Sequence, residues 1–317
     1  MKIREIYDLA IASGIAADPR GEEAVRKELA KLNKTYDKLD DDEKEFFDVE
    51  SLTNPYADSR ILFGDQDREI KKLICGVDME SGEIAVVAML NSRGVNIDLI
   101  WSHHPEGGAL AALPEVMKLQ SGALAAAGVL ANVAEGLLDQ RIKEVDKSIG
   151  VVNHFRSVDS ARLLGIPMIC IHTPADNLVT QYMTNLMRNE APDTIGDLIK
   201  LLKEVPEYRF SAINHNPPRI VSGTKDRTVG KVFVDFTGGT SGPKEFMEKL
   251  SDAGISTVLC MHATDGMVDV AKDMNLNLVI AGHMASDSLG LNLLLDQVEK
   301  RGVEVVAGSG LIRHRRD

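Results

Sequence analysis

The sequence predicts an α/β protein of mostly parallel strands with flanking helices. Short apolar runs of strand length alternate with helical patterns from residue 70 onward. "IKKLICGVDM", "GEIAVVAMLNSRG" and "NIDLIWS" follow one another as strand, helix and strand, the span of one βαβ crossover. The chain has 317 residues, 44% hydrophobic and 26% charged, so it is globular and long enough for one large or two ordinary domains.

The elements follow in order. "KIREIYDLAIASGIA" has apolar residues at helical spacing and predicts an amphipathic helix. The charged stretch after it reads as one or two surface helices, and "SLTNPYADSR" as a turn-rich break. Residues 109 to 147 suggest a long or broken helical insert, and "SVDSARLLG" a helix ended by glycine. "IPMICIH", "KVFVDFTGG", "ISTVLCM", "LNLVIAGH" and "VEVVAG" are the further strands. Residues 178 to 188, "DTIGDLIKLLKEV", "PKEFMEKLSDAG", "DGMVDVAKDMN" and "DSLGLNLLLDQVEKRG" are helices. No internal repeat of fixed period stands out.

Composition excludes several classes. A net charge of −12 repels phosphate backbones, so nucleic acid is not the expected partner. The basic tail "RHRRD" reads as a solvated end. Cys75, Cys170 and Cys260 lie far apart in apolar runs, which fits reduced core thiols in a cytoplasm. No apolar stretch reaches the roughly 18 residues that span a bilayer.

Three strands end alike. "NIDLIWS" delivers His103 and His104. "PMICIH" delivers His172, with Asp176 four residues on, and "LNLVIAGH" delivers His283, with Asp287 four residues on. Ligands of parallel sheets lie beyond the carboxyl ends of the strands. Imidazoles and carboxylates gathered there suit divalent Zn, Mn or Fe, and five or six ligands suit two ions sharing a bridging carboxylate. A plainer reading makes each histidine a satisfied polar group and makes Asp176 and Asp287 helix N-caps. His154, His215 and His314 read as surface, loop and tail residues. His262, after "TVLCM", could line the same cleft, though it reads first as a core residue or a support behind it. "FTGGTSGP" lacks the ending of a phosphate loop, and its glycines read as a tight turn.

"DLIWSHHP", "IHTPADN" and "VIAGHMASD" resemble the signatures of the NGG-interacting factor three (Nif-three-like) family, also described as type-two GTP-cyclohydrolase-like dinuclear metal proteins. "ILFGDQDREIKKLICGVD" resembles the family's opening, and the likeness covers roughly residues 60 to 310. It implies metal ligation by His103, His104, Asp176, His283 and Asp287. Asp287 stands where the family more often bridges with glutamate. The likeness also implies two related α/β domains, the second inserted in the first. Here they are expected at 1–176 plus 255–317 and at 177–254. Ring-shaped homo-oligomers, commonly hexamers, go with it.

The expected function is therefore a dinuclear metal-dependent hydrolase of a small-molecule or nucleotide-like substrate. His172 would orient a ligand or shuttle a proton. Glu106 is a candidate general acid or base, set against a plain role as an exposed loop carboxylate. The alternative is a non-catalytic metal-binding oligomer that stores or delivers metal or serves as a scaffold.

Overall fold

A computed structural model describes residues 1–316. The first sheet holds β1 (Arg60–Phe63), β2 (Lys72–Gly76), β3 (Leu99–Ser102), β4 (Met168–Cys170) and β9 (Glu304–Ala307), in the order β1-β4-β3-β2-β9. The second holds β5 (Arg219–Ser222), β6 (Val232–Asp235), β7 (Thr257–Cys260) and β8 (Asn277–Ile280), in the order β5-β8-β7-β6. β1 and β5 are antiparallel edges, and every other pairing is parallel. β3, β4 and β7 bury every residue. Continuous apolar runs such as "LIW" and "MIC" are what a parallel sheet covered by helices on both faces requires.

A boundary at 254/255 does not follow the strands. β7 and β8 pair with β6 and β5, so the second sheet draws on residues 219 to 280. β9 then returns the chain to the first sheet beside β2.

The two sheets repeat one plan, although no fixed period is visible in the sequence. β1 to β4 and β5 to β8 have the same order and directions. Both edge strands carry a register shift, at Ile61/Phe63 and at Ile220/Ser222. Each is followed by a glycine of positive φ, Gly64 at 118° and Gly223 at 94°. A Cβ on Gly64 would lie 2.7 Å from Pro167, and one on Gly223 2.5 Å from Asn277 Oδ1, so both turns press on the strand beside them. "ILFGDQDREIKKLICG" and "IVSGTKDRTVGKVFVD" keep the glycine, an Asp-Arg pair and a lysine in step. An insert between β3 and β4 lengthens the first copy alone and hides the period.

That insert is broken into four helices, Gly107–Ala111, Leu113–Val116, Leu119–Ala127 and Ala131–Ile149. Its Met117, Leu124 and Leu138 share one apolar cluster with Phe246, Met247 and Leu250 of the second half. The helices after β4 and β8, Thr173–Glu190 and His283–Glu299, pack directly on each other. A Cβ on Gly290 would overlap the Ala175 carbonyl, so the glycine sets how near the two helices come. The N-terminal helix Ile3–Ala16 buries Ile3, Ile6 and Tyr7 and lies against Thr173–Glu190, with Gly14 over Pro174. No described helix is long and apolar enough to cross a membrane.

The tail is not a solvated end. Arg313 pairs with Asp296 and Glu299. Arg316 meets both oxygens of Glu207 at 2.6 Å, and the Glu207 side chain is 0% exposed. Asp317 lies outside the described residues. Removing one partner of a buried pair strands the other charge. Arg316→Ala should therefore lower unfolding stability by about 3 kcal/mol, read from urea midpoints.

Candidate metal centre

The three strand ends deliver their histidines as the sequence spacing suggests. The His103 and His104 amides donate to Gly76 O at 3.0 Å and Val77 O at 2.9 Å, carrying the β2–β3 ladder two residues past β3. His172 stands immediately before the helix Thr173–Glu190, and His283 is the first residue of His283–Glu299. Four residues is close to one helical turn, so each aspartate falls on the same side as its histidine. Asp176 and Asp287 lie inside the helices and cap neither.

The five residues converge with His172 into one cluster. His103, His104 and His172 offer ligand atoms within 4.8 Å of one another. So do His104, His283 and Asp287, and so do His103, Asp176 and Asp287. Asp287 is the centre. Its Oδ1 lies 3.6 Å from His103 Nε2, while its Oδ2 lies 3.5 Å from both His104 Nε2 and His283 Nε2. Asp176 Oδ1 lies 3.5 Å from His103 Nε2, and its Oδ2 lies 3.7 Å from His172 Nε2.

These spacings fit metal ligation better than hydrogen bonding. Ligands about 2.1 Å from a tetrahedral ion stand roughly 3.4 Å apart. His103 Nε2, Asp176 Oδ1 and both Asp287 oxygens are buried with no hydrogen-bond partner. Several unpartnered polar atoms facing one point, a buried carboxylate among them, are costly unless a cation joins them.

Outer partners aim the rings. His103 Nδ1 lies 3.1 Å from Ile171 O, His104 Nδ1 2.6 Å from Asp78 Oδ1, and His172 Nδ1 2.8 Å from Asp58 Oδ2. With Nδ1–H donating outward, each Nε2 lone pair points into the cluster. Asp58 also accepts from Thr173 Oγ1 at 2.6 Å. Neither Asp58 nor Asp78 is evident as a site residue in the sequence. Asp78 lies two residues past β2 and obeys the strand-end rule, whereas Asp58 hides in the turn-rich "SLTNPYADSR". Asp58→Asn should weaken metal affinity by about 10- to 100-fold, read by titration calorimetry, with the fold unchanged.

The charges are strongly coupled. Burial pushes the Asp176 carboxyl well above the usual range, and the nearby Asp287 carboxylate adds to this against the pull of His103. Burial would raise Asp287 too, but the surrounding imidazoles hold it well below that range. Burial works against charge on His104, yet Asp287 and Asp78 push its pKa up to about 10. His283 is lowered to about 4, chiefly by burial. The fully buried His103 side chain forms the closed end, while His104 and His283 are 29% and 40% exposed and form the open end.

A cleft over the open end is lined by His172, Asp176, His262, His283, Asp287 and the loop from Asp235 to Ser241. His262 belongs to this cleft, its ring centroid 4.9 Å from that of His283 and its Nδ1 3.0 Å from Ser241 Oγ. Glu106 does not line the cleft. It is half-buried rather than exposed, and burial raises its carboxyl to about 7. His154, His215 and His314 lie outside the cluster.

No family model and no curated protein matches the sequence. Among solved structures, the chain is similar to a NIF3 superfamily protein from Sphaerobacter thermophilus, with 28% identity and a TM-score of 0.73 over 80% of this chain and 92% of that one. It shares its fold with reduced HcgD from Methanocaldococcus jannaschii, at 14% identity and a TM-score of 0.53 over 89% of this chain and 96% of that one.

Proposed function

This chain belongs to the NIF3-like family, and on that premise we propose that it binds two divalent metal ions and acts as a metal-dependent hydrolase on a small molecule. The observation that carries this reading is Asp287, whose two oxygens face different imidazoles and bond to nothing else. His103, His172 and Asp176 would hold the inner ion and His104 and His283 the outer one, with Asp287 shared between them. His172 thus takes a ligand's place, since its Nε2 faces Asp176 and its Nδ1 is held by Asp58.

The ligand chemistry suits Zn, Mn or Fe. Such ions, when bound, polarise a carbonyl, ring carbon or phosphoryl group and make water more acidic. The chain's own residues do the remainder. Asp58, Asp78 and the Ile171 carbonyl fix the imidazole tautomers. Burial keeps solvent from His103, so a substrate would approach through the cleft lined by Asp176, His283 and His262. The family likeness also favours a homo-oligomer, which light scattering would read as a mass above that of one chain.

Protein loaded with Zn, Mn or Fe and offered nucleotides, phosphoesters and cyclic amides should hydrolyse at least one class, and His103→Ala should abolish that turnover. Two bound ions without any turnover across the panel would instead support metal storage or delivery. The exposure of His283 favours that second reading, since an open ligand allows exchange.

A further inference from the structure

The insert between β3 and β4 supplies none of the cluster's ligands. His103 and His104 precede it and His172 follows it. Its third helix, Leu119–Ala127, instead covers a cavity of about 240 Å³ against β6 and the helix Phe246–Asp252. Leu124, Phe233, Phe246, Met247, Leu250 and Met267 make most of the wall apolar.

Polar groups interrupt that wall. Gln120 is 5% exposed, and its Nε2 donates to Gly238 O at 2.7 Å and Thr240 O at 2.5 Å. Those two carbonyls fix the amide orientation, and Oε1 is left buried with no donor. Thr180 is also 5% exposed, and its Oγ1 has no partner. Asp235 ends β6, and burial alone raises its carboxyl to about 6, with no charge or hydrogen bond offsetting it. Lys231, the only basic side chain on the lining, donates to Ala127 O at 3.0 Å. A phosphate or carboxylate seated beside Asp235 and the Gln120 Oε1 would face acceptors rather than donors. The unmet groups include two acceptors that need donors, and the rest of the wall needs an apolar body.

Asp235 and Thr237 line both this cavity and the cleft over the metal cluster. A molecule seated in the cavity would thus present its polar end to the ions. We infer that the cavity is the substrate pocket of the proposed hydrolase, that it takes an uncharged ring compound bearing N–H donors, and that the insert sets this choice. The word substrate rests on the hydrolase reading; binding to the cavity does not.

The test uses 5-phenylhydantoin, a neutral apolar ring compound with two N–H groups, titrated into the full chain with methyl-labelled methionines, metal-free and metal-loaded. The Met247 and Met267 methyl signals should shift saturably in both forms. The N,N′-dimethyl analogue should bind at least tenfold more weakly, and Thr180→Val should weaken the probe several-fold. Ala123→Trp, which fills the cavity, should abolish the shifts; if it does not fold, Thr180→Val and the dimethyl analogue carry the test. Absent shifts, shifts that survive Ala123→Trp, or equal binding of the dimethyl analogue would overturn the inference. Probe binding by a protein that takes up no metal when loading is attempted would uphold the pocket and sink the hydrolase. Turnover of a cyclic amide with a KM unmoved by Ala123→Trp would do the reverse.

Discussion

If the centre takes two ions as proposed, Asp287→Ala should reduce bound metal to at most one per chain and weaken the remaining ion by about 100-fold or more. The magnitude follows from position. Loss of a residue that merely orients a ligand already costs about 10- to 100-fold, and Asp287 offers its oxygens to imidazoles from both halves of the chain. His172→Ala should act differently, stripping the inner ion and leaving the outer one, because its Nε2 faces Asp176 and not His283. Elemental analysis and calorimetry on the two variants separate these outcomes. Two ions retained by Asp287→Ala would refute a shared carboxylate.

Removing the proposed metals should lower the melting temperature by about 8 °C. An ion present at 100 times its Kd stabilises the folded chain by about 2.7 kcal/mol, so two contribute roughly 5 kcal/mol. Each kcal/mol moves the midpoint of a chain this long by about 1.5 °C. The gap should widen with pH. In the metal-free chain, the His104 pKa is raised to about 10 by Asp287 and Asp78 against the effect of burial. That contribution is complete below the unfolded value of about 6.5 and is lost as pH rises toward 10. Asp176, also raised, acts in the same direction. Metal binding needs unprotonated imidazoles, so the metal-loaded chain gains as the metal-free chain loses. Calorimetric scans with and without chelator from pH 6.5 to 10 should diverge; parallel lines would contradict this account.

Much of this was legible in the sequence, for identifiable reasons. "NIDLIWS", "PMICIH" and "LNLVIAGH" are apolar because their strands are buried on both faces, and a histidine directly after such a strand has one place to go. The cluster could be read because its residues touch the strand ends in sequence as well as in space. Asp58 could not, because it joins His172 through a tertiary contact across 114 positions. The repeat was masked by unequal spacing. The tail "RHRRD" looked solvated because its acidic partners come from two other helices, and the buried one, Glu207, lies 109 positions before Arg316.

The repeated architecture has a consequence for how the centre is free to vary. Were the two halves separate identical subunits, any change at one strand end would be copied at its counterpart. Joined in a single polypeptide, they drift independently. Past β3 the first half keeps the adjacent pair His103–His104. Past β7 the second half has Met261 followed by His262, and that lone imidazole is turned to Ser241. Specialisation of one arm without cost to the other is what the covalent link allows, and His262 is the position where it can be tried first.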